Sequence, residues 1–113
     1  MHESVVAGEL LRTVEERARA AGAARVIAVG VRIGALSGLV PEALSFAFEA
    51  LQVDTFVAGA VLDIERVEAL CQCELCGLVF PVEESKRRCV ACGIPAPFVP
   101  NSDCLLLTRV EVE

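Results

Sequence analysis

A repeated cysteine motif constrains the fold of this chain of 113 residues more than any other feature. The pattern Cys-x-x-Cys-Gly occurs at residues 73–77 and again at residues 89–93, with twelve residues between the two cysteine pairs. Two residues between the cysteines allow a tight turn that points both sulfurs at one ion, and the glycine lets the backbone turn there. Two such turns supply four thiolates in a tetrahedron. The sequence therefore predicts a structural zinc site with these ligands: Cys73, Cys76, Cys89 and Cys92.

Two other chemistries use similar cysteine pairs, namely rubredoxin-type iron and redox-active dithiols. A redox dithiol needs one Cys-x-x-Cys motif and no second copy, and bound iron would colour the protein red. A closed set of four sulfurs leaves no coordination position for a substrate, so we expect a structural zinc on which the folding of residues 71–102 depends. The two remaining cysteines are interpreted as a spare thiol, Cys71, and a small buried apolar residue, Cys104.

The charge of the chain argues against nucleic acid as a ligand. Sixteen acidic residues outnumber ten lysines and arginines, giving a formal net charge of −6, whereas neutralising a phosphate backbone requires the opposite sign. The first seventeen residues contain no apolar signal core, and no uncharged run reaches the ~20 residues of a membrane span. We expect a cytoplasmic protein, and in that reducing compartment six cysteines favour metal binding over disulfides.

Hydrophobic periodicity predicts two helices and three strands. The first helix is predicted from Ser4, its N-cap, to Ala21, with Gly22 in the left-handed conformation that ends it. The second helix is predicted to begin at Pro41, because proline favours the first helical position. Alternating or strongly apolar segments predict three strands, at residues 26–33, 60–67 and 105–112.

Two of these elements have faces that the sequence assigns to the core. In the first strand one crowded face is expected to carry Ile27, Val29, Val31 and Ile33, and one thin face Ala28, Gly30 and Arg32. In the second helix the buried stripe is expected to comprise Leu44, Ala47, Phe48 and Leu51.

Residues 71–102 differ in composition from the rest of the chain. They hold four of the five prolines and five of the six cysteines, and no long periodic pattern runs through them. Both ends of this segment adjoin predicted strands. We therefore expect a small zinc-ribbon-like domain at residues 71–102, inserted into an α/β domain made of residues 1–70 and 103–113.

His2 is the only histidine of the chain, and it directly follows the N-terminal residue. The terminal amine, the His2 amide nitrogen and the His2 imidazole can bind one ion through fused chelate rings, an arrangement suited to a d⁸ ion such as Ni(II). Because the backbone amide must lose its proton, the nickel affinity should rise with pH. The fourth donor has to come from elsewhere, for instance from the Glu3 amide or from another protein. A metal site that is open to approach at one coordination position suits a protein that passes its metal on.

Four stretches of the chain occur in an order that one known family shares. They are Met1-His2-Glu3, the segment GALSGLVPEALSFAFE at residues 34–49, the paired cysteine motifs, and the ending Val110-Glu-Val-Glu113. Through these stretches, which together span nearly the whole chain, it resembles the HypA/HybF nickel metallochaperones of [NiFe]-hydrogenase maturation.

The resemblance implies an α+β fold in two layers: a nickel-binding α/β domain with two helices on a three-stranded sheet, and a zinc domain inserted into it. It implies nickel as transported cargo. It implies that nickel is bound by the Met1 amine, the His2 imidazole and amide, and the Glu3 amide. The implied partners are a HypB-type GTPase, the hydrogenase large-subunit precursor and, in some organisms, urease maturation proteins; nucleic acid and membranes are not among them, and a homodimer is left open. Three departures concern the region near the inter-domain hinge: Val90 where proline is frequent, residues 102–105 in place of Gly-x-Glu-Leu, and Cys71.

Two functions follow from different features of the chain. The first is nickel delivery without enzymatic turnover, since no nucleophile has a base beside it and no glycine-rich loop is present to cradle phosphate. The alternative is a zinc-ribbon module that binds protein or nucleic acid and has no nickel role, for which Lys86, Arg87 and Arg88 are the best evidence. The absence of Tyr and Trp, which would stack on bases, counts against nucleic acid.

Overall fold

The computed structural model describes residues 2–82, 87–100 and 102–113. Within those ranges the elements follow one another as α1 (Glu3–Ala20), β1 (Val26–Gly34), α2 (Pro41–Gln52), β2 (Val61–Val67), β3 (Leu70–Gln72), β4 (Val79–Pro81) and β5 (Leu105–Val112). The predicted α+β architecture of two helices and a three-stranded sheet is confirmed. The short strands β3 and β4, which the sequence did not predict, form a separate antiparallel pair in the cysteine-rich segment.

The three-stranded sheet has the strand order β2-β1-β5. Strand β1 is parallel to β2, with Val31 opposite Ile64, and antiparallel to β5, with Val31 opposite Leu107. Helix α2 supplies the crossover that a parallel pair requires. Strand β5 follows the cysteine-rich segment and returns to the free edge of β1, so this segment leaves the sheet after β2 and rejoins it at β5.

The main core lies where both helices pack on the sheet. Its fully buried side chains come from α1, β1 and α2, with Val57 added from the turn after α2. The largest of them are Val14, Val29, Val31, Leu44 and Phe48. An aliphatic core around a single fully buried phenylalanine is consistent with the low aromatic content of the chain.

The predicted alternation along β1 is wrong at the first residues of the strand. Val26 is buried, whereas Ile27 is 43% exposed. The pairing with β5 shifts register between Val26 and Ala28, which lie opposite Val112 and Glu111, so β1 carries one extra residue there. A bulge of this kind reverses which side chains face the core. Beyond it Val29, Val31 and Ile33 are buried, as predicted.

The opposite face of the sheet carries a layer of ion pairs. Arg32 of β1 pairs with Glu65 of β2 at 2.8 Å, and Arg109 of β5 pairs with both Asp63 and Glu111. The Arg109 side chain lies across Gly30, where an added Cβ would also approach Thr108 Oγ1 to 2.9 Å. The face that the sequence predicted to be thin is therefore covered by long charged side chains.

The ends of α1 differ in part from the prediction. The helix begins at Glu3, with His2 in an extended conformation as the N-cap, so the assignment of Ser4 as the N-cap is wrong. Ser4 lies within the first turn because the helical backbone begins before it, and no side chain of the described residues caps this end. At the other end Ala21 is the C-cap, and Gly22 has the positive φ of 73° that was predicted for it.

The buried stripe of α2 is also partly different. Leu44 and Phe48 are buried, and Ala47 is half-buried against the core, but Leu51 is 44% exposed and its assignment to the core is wrong. The next position of the stripe is Gln52, four residues after Phe48. Its buried side-chain amide donates to the carbonyls of Val57 at 2.8 Å and Ala60 at 3.1 Å, which closes the turn between α2 and β2.

The cysteine-rich segment has a small core of its own. Its buried residues are Cys71, Cys73, Phe80, Cys89 and Ala96. The radius of gyration of the molecule is 17.4 Å, larger than the about 13 Å expected of one compact domain of this length. The molecule is elongated, 54 × 25 × 16 Å, with two separate hydrophobic clusters.

Candidate metal sites

The first cysteine motif is a tight turn closed by two backbone hydrogen bonds. The amide of Gly77 donates to the carbonyl of Cys73 at 2.8 Å, and the amide of Cys73 donates to the carbonyl of Leu78 at 2.9 Å. Gly77 has a φ of 79°, a conformation that costs glycine little and other residues more. The turn thus requires a glycine after the second cysteine.

The second motif repeats this geometry bond for bond. The amide of Gly93 donates to the carbonyl of Cys89 at 2.7 Å, and the amide of Cys89 donates to the carbonyl of Ile94 at 2.9 Å. Gly93 has a φ of 74°. The same Cys-x-x-Cys-Gly pattern therefore forms the same turn twice.

The two turns bring four sulfurs into one cluster. The sulfur atoms of Cys73, Cys76, Cys89 and Cys92 all lie within 4.8 Å of one another, with Cys76 and Cys89 at 3.6 Å. Four sulfurs bound tetrahedrally at the usual zinc distance would be about 3.8 Å apart. Cys73 and Cys89 are buried, while Cys76 is exposed. The arrangement can hold one metal ion, and the assignment of these residues as zinc ligands stays a prediction.

The thiols of the cluster influence one another's ionisation. The pKa of Cys73 is lowered to about 7, chiefly because the backbone N–H of Cys76 donates to its sulfur. The pKa of Cys92 is raised to about 12, first by its hydrogen bond with the Cys76 thiol and then by burial. One thiolate forms readily and the last one does not. A bound divalent cation would supply the positive charge that allows all four to ionise.

The two cysteines outside the motifs have different surroundings. Cys71 lies on β3, fully buried, and its backbone is paired with Phe80 and Phe98. Its sulfur does not belong to the cluster of four, and it forms no disulfide. Cys104 is half-buried beside the start of β5, less enclosed than the sequence predicted. Cys71 thus contributes to the small core of its segment.

The predicted nickel ligands lie at the head of α1. Met1, whose amine is one of the predicted donors, falls outside the described residues. His2 is exposed, and its carbonyl accepts the amides of Val5 at 3.1 Å and Val6 at 3.2 Å. The His2 side chain therefore faces solvent while its backbone is fixed by the first turn of the helix.

The carboxylate of Glu3 makes a contact that the sequence did not reveal. It accepts the amide of Val40, the N-cap residue of α2, at 3.0 Å. This hydrogen bond is the main cause that lowers the pKa of Glu3 below its ordinary value. A glutamate in the first turn of a helix is usually explained by helix electrostatics alone. Only the fold places it beside the head of another helix.

Residues 34–40, from the last residue of β1 to the N-cap of α2, lie between the N-terminal site and the two chain segments that connect the sheet to the cysteine-rich region. The amides of Gly34, Ala35 and Leu36 donate to the carbonyls of Cys104 at 2.9 Å, Val67 at 2.9 Å and Ser102 at 2.8 Å, respectively. Val40, at the end of the same segment, donates to Glu3. Residues 34–40 thus contact the first turn of α1 and both of the segments that connect the sheet to the cysteine-rich region.

The arginines proposed for nucleic-acid binding have partners within the chain. Arg87 lies over the ring of Phe98, 4.2 Å from its centroid, and Arg88 donates to the carbonyl of Gly93 at 3.2 Å. Lys86 lies outside the described residues. Both contacts give the arginines a structural role beside the second cysteine turn.

The described helices include none long and apolar enough to cross a bilayer.

Comparison with known proteins identifies the family. The family model described as "Hydrogenase/urease nickel incorporation, metallochaperone, hypA" matches residues 1–112. The chain is 41% identical over 113 residues to the hydrogenase maturation factor HypA of Geobacter metallireducens, covering all of both chains. It is 37% identical to that of Roseiflexus sp., covering all of this chain and 93% of the relative. It is similar to the solution structure of the Ni metallochaperone HypA from Helicobacter pylori, with a TM-score of 0.72 and 27% identity over 99% of this chain and 97% of that one. The sequence and the fold together show that the chain belongs to the HypA family of nickel metallochaperones in hydrogenase maturation.

Proposed function

We propose that the protein binds Ni(II) at its N-terminus and delivers it to the precursor of a [NiFe]-hydrogenase, without catalysing a reaction. The proposed ligands are the Met1 amine, the amide and imidazole of His2, and the amide of Glu3. The observation that carries this proposal is the position of His2, exposed and directly before α1, in a chain of a nickel metallochaperone family.

The start of a helix suits a chelate made of backbone amides. The first amides of an α-helix have no carbonyl one turn earlier to which they can donate. The Glu3 amide, at the first helical position, can therefore lose its proton to a metal without breaking a helical hydrogen bond. Nickel with four nitrogen donors favours a flat arrangement, which three consecutive residues can provide.

Nickel calorimetry on three forms of the untagged protein tests this site. We expect the unaltered chain to bind one Ni(II), while His2→Ala and a form with an acetylated N-terminus each lose most of the affinity. Acetylation leaves every side chain in place and removes only the free amine next to His2. Equal affinity in all three forms would show that nickel binds elsewhere.

We also propose that the four clustered cysteines bind one structural Zn(II), which stabilises a domain of residues 71–102 inserted between residues 1–70 and 103–113. The doubled turn and the tetrahedral spacing of the sulfurs support zinc, and four sulfur ligands leave no open position for catalysis. Metal analysis of protein purified without added metal should find about one zinc per chain. A red protein that contains iron would contradict the zinc assignment.

Nickel transfer requires partners, and hydrogenase maturation implies contact with the maturation machinery. We propose that a HypB-type GTPase supplies the energy for nickel transfer, because the described residues of this chain contain no nucleotide-binding loop. The hydrogenase large-subunit precursor is the proposed acceptor of the nickel.

A further inference from the structure

We propose that the outward face of α2 is a docking surface for a protein partner that presents an apolar pocket rimmed by basic residues. This face, called the outer stripe, consists of Ala43, Phe46 and Ala50 of the helix and Val53 directly after its end. Its members follow helical spacing on the side opposite the buried Leu44 and Phe48. Phe46 is 75% exposed, and Val53 is 63% exposed. Helix α2 thus has apolar side chains on its solvent side as well as on its core side.

The other solvent-facing surfaces of the α/β region have a different character. The outer face of α1 carries a chain of ion pairs in which Arg12 contacts Glu9 and Glu16, and Arg19 contacts Glu15. The open face of the sheet carries the ion pairs already described. A group of exposed apolar side chains on the solvent side of a helix is typical of a partner-covered position. In the described residues no element of the chain lies over Phe46.

The charge around the outer stripe indicates which kind of partner covers it. Glu49 of α2 lies along one side of the stripe and Asp54 follows its end, while Glu42, on the same side as Glu49, is paired with Arg66. Residues 71–102 contain three acidic and three basic residues, so the whole net charge of −6 belongs to the remainder of the chain. Complementary charge across an interface speeds association and selects partners. A basic rim on the partner complements this acidic surface.

The same charges argue against a second copy of this chain as the occupant. A two-fold interface centred on the outer stripe would bring two acidic rims of the same sequence together. Like charges at an interface cost free energy and disfavour that pairing. We therefore assign the stripe to a different, basic protein.

The outer stripe begins beside the proposed nickel site. Val40, the N-cap of α2, is half exposed and is bonded to the carboxylate of Glu3. A protein seated on α2 would therefore lie close to the head of α1, where we propose that nickel is held. This choice of partner, a protein that takes part in nickel transfer, rests on the proposed function, whereas the docking surface itself does not.

Binding measurements with two purified proteins test the surface. The zinc-loaded chain is immobilised through its C-terminus, and the nickel-incorporation GTPase and the hydrogenase large-subunit precursor of the same organism are titrated separately. For at least one of them we expect Phe46→Asp to raise the Kd at least about tenfold, as for an aromatic residue central to an interface. Phe46→Leu, which remains apolar, should retain most of the affinity. Glu49→Lys should slow association, most strongly at low salt.

Matched variants outside α2 separate docking from general effects. Val61→Asp changes another exposed apolar side chain, 59% accessible, and Glu16→Lys reverses an acidic residue on α1. Both should leave the Kd unchanged. All variants should retain the helical circular dichroism and the zinc content of the unaltered chain.

Three results would overturn the proposal. They are unchanged binding of Phe46→Asp, failure of the unaltered chain to bind either protein, and a dimer of the unaltered chain that Phe46→Asp converts to monomer. Nickel is tested separately in the same preparations. If His2→Ala still binds nickel, the proposed function fails, while a Kd that depends on Phe46 in the metal-free chain would still establish the docking surface.

Discussion

At the scale of single residues, Glu3 connects two helices that are far apart in the sequence. It belongs to the first turn of α1, and its carboxylate accepts the amide of Val40 at the head of α2. Val40 itself makes no side-chain capping hydrogen bond with any described residue. The Glu3 carboxylate, 37 residues earlier in the chain, instead binds the backbone at the head of α2. The residue that contributes its amide to the proposed nickel site thus also fixes the position of that site through its side chain.

The Val40 contact predicts a pH dependence. Because the pKa of Glu3 is lowered in the folded protein, the contact stabilises the fold at pH values above the ordinary 4.5 and is lost as pH falls through the lower folded pKa. In metal-free protein, NMR should show the Glu3 carboxyl carbon and the Val40 amide titrating together, with a midpoint below 4.5. Glu3→Gln should abolish the titration of the Val40 amide. A Val40 amide that does not respond to pH would contradict the contact.

A second prediction at this scale compares two glycines. Gly77 has a φ of 79°, so Gly77→Ala should destabilise the zinc-loaded protein by about 1 kcal/mol or more. Gly8 lies within α1 and has open space where a Cβ would be added, so Gly8→Ala should stabilise the protein by about 0.5–1 kcal/mol. Urea unfolding of both variants provides the free energies. Effects of the same sign would contradict the backbone geometry described for the first cysteine turn.

At the scale of elements, α2 contains two phenylalanines with opposite environments. Phe48 is fully buried between the helices and the sheet, whereas Phe46 belongs to the outer stripe. Replacing each phenylalanine in turn by the same residue therefore compares a buried and an exposed position of one helix.

Alanine at these two positions should have very different effects on the isolated protein. Phe48→Ala creates a cavity and should lower the free energy of unfolding by about 3–5 kcal/mol. Phe46→Ala should change it by no more than about 0.5 kcal/mol. Chemical denaturation with matched m-values checks both. A large loss for Phe46→Ala would mean that the residue packs within the chain, and the docking surface would then lose its basis.

The elements also show which features a sequence can reveal. The bounds of β5 and the start of α2 at Pro41 agree with the prediction, because a run of strand-forming residues and a proline are local signals. The exposed Ile27, the buried Gln52 and the contact of Glu3 with Val40 depend on a bulge, a turn and a neighbouring helix. Such features arise only when distant segments meet, so periodicity could not predict them.

The two candidate metal sites also differ in how far the sequence could predict them. The spacing of the cysteine pairs indicated that their sulfurs can converge, and the fold brings all four together. The geometry of the proposed nickel chelate stays a prediction, since it includes Met1, which is outside the described residues.

At the scale of the whole molecule, two hydrophobic clusters of unequal size occupy an elongated chain. Among the described residues, the larger cluster contains thirteen buried residues from the helices, the sheet and the turn between α2 and β2. The smaller contains five, of which three are cysteines. A core that small buries too little apolar surface to be stable without cross-links or metal.

Metal removal should therefore unfold one part of the molecule and leave the other. With a strong chelator we expect trypsin to cut rapidly after Arg87 and Arg88, while the arginines of α1 remain protected. Mass spectrometry of the fragments with and without chelator provides the measurement, and added Zn(II) should restore protection. Simultaneous loss of protection in both regions would show that the two clusters unfold as one unit.

The position of His2 at the N-cap has a consequence for the entropy of metal capture. A flexible peptide must lose the freedom of several backbone dihedrals when its nitrogens close around an ion. In the folded chain the carbonyl of His2 is already engaged by two amides of α1, so folding has fixed the peptide link between two of the proposed donors before any metal arrives. The full protein should therefore bind Ni(II) with a smaller entropic cost than a free peptide of the same first residues.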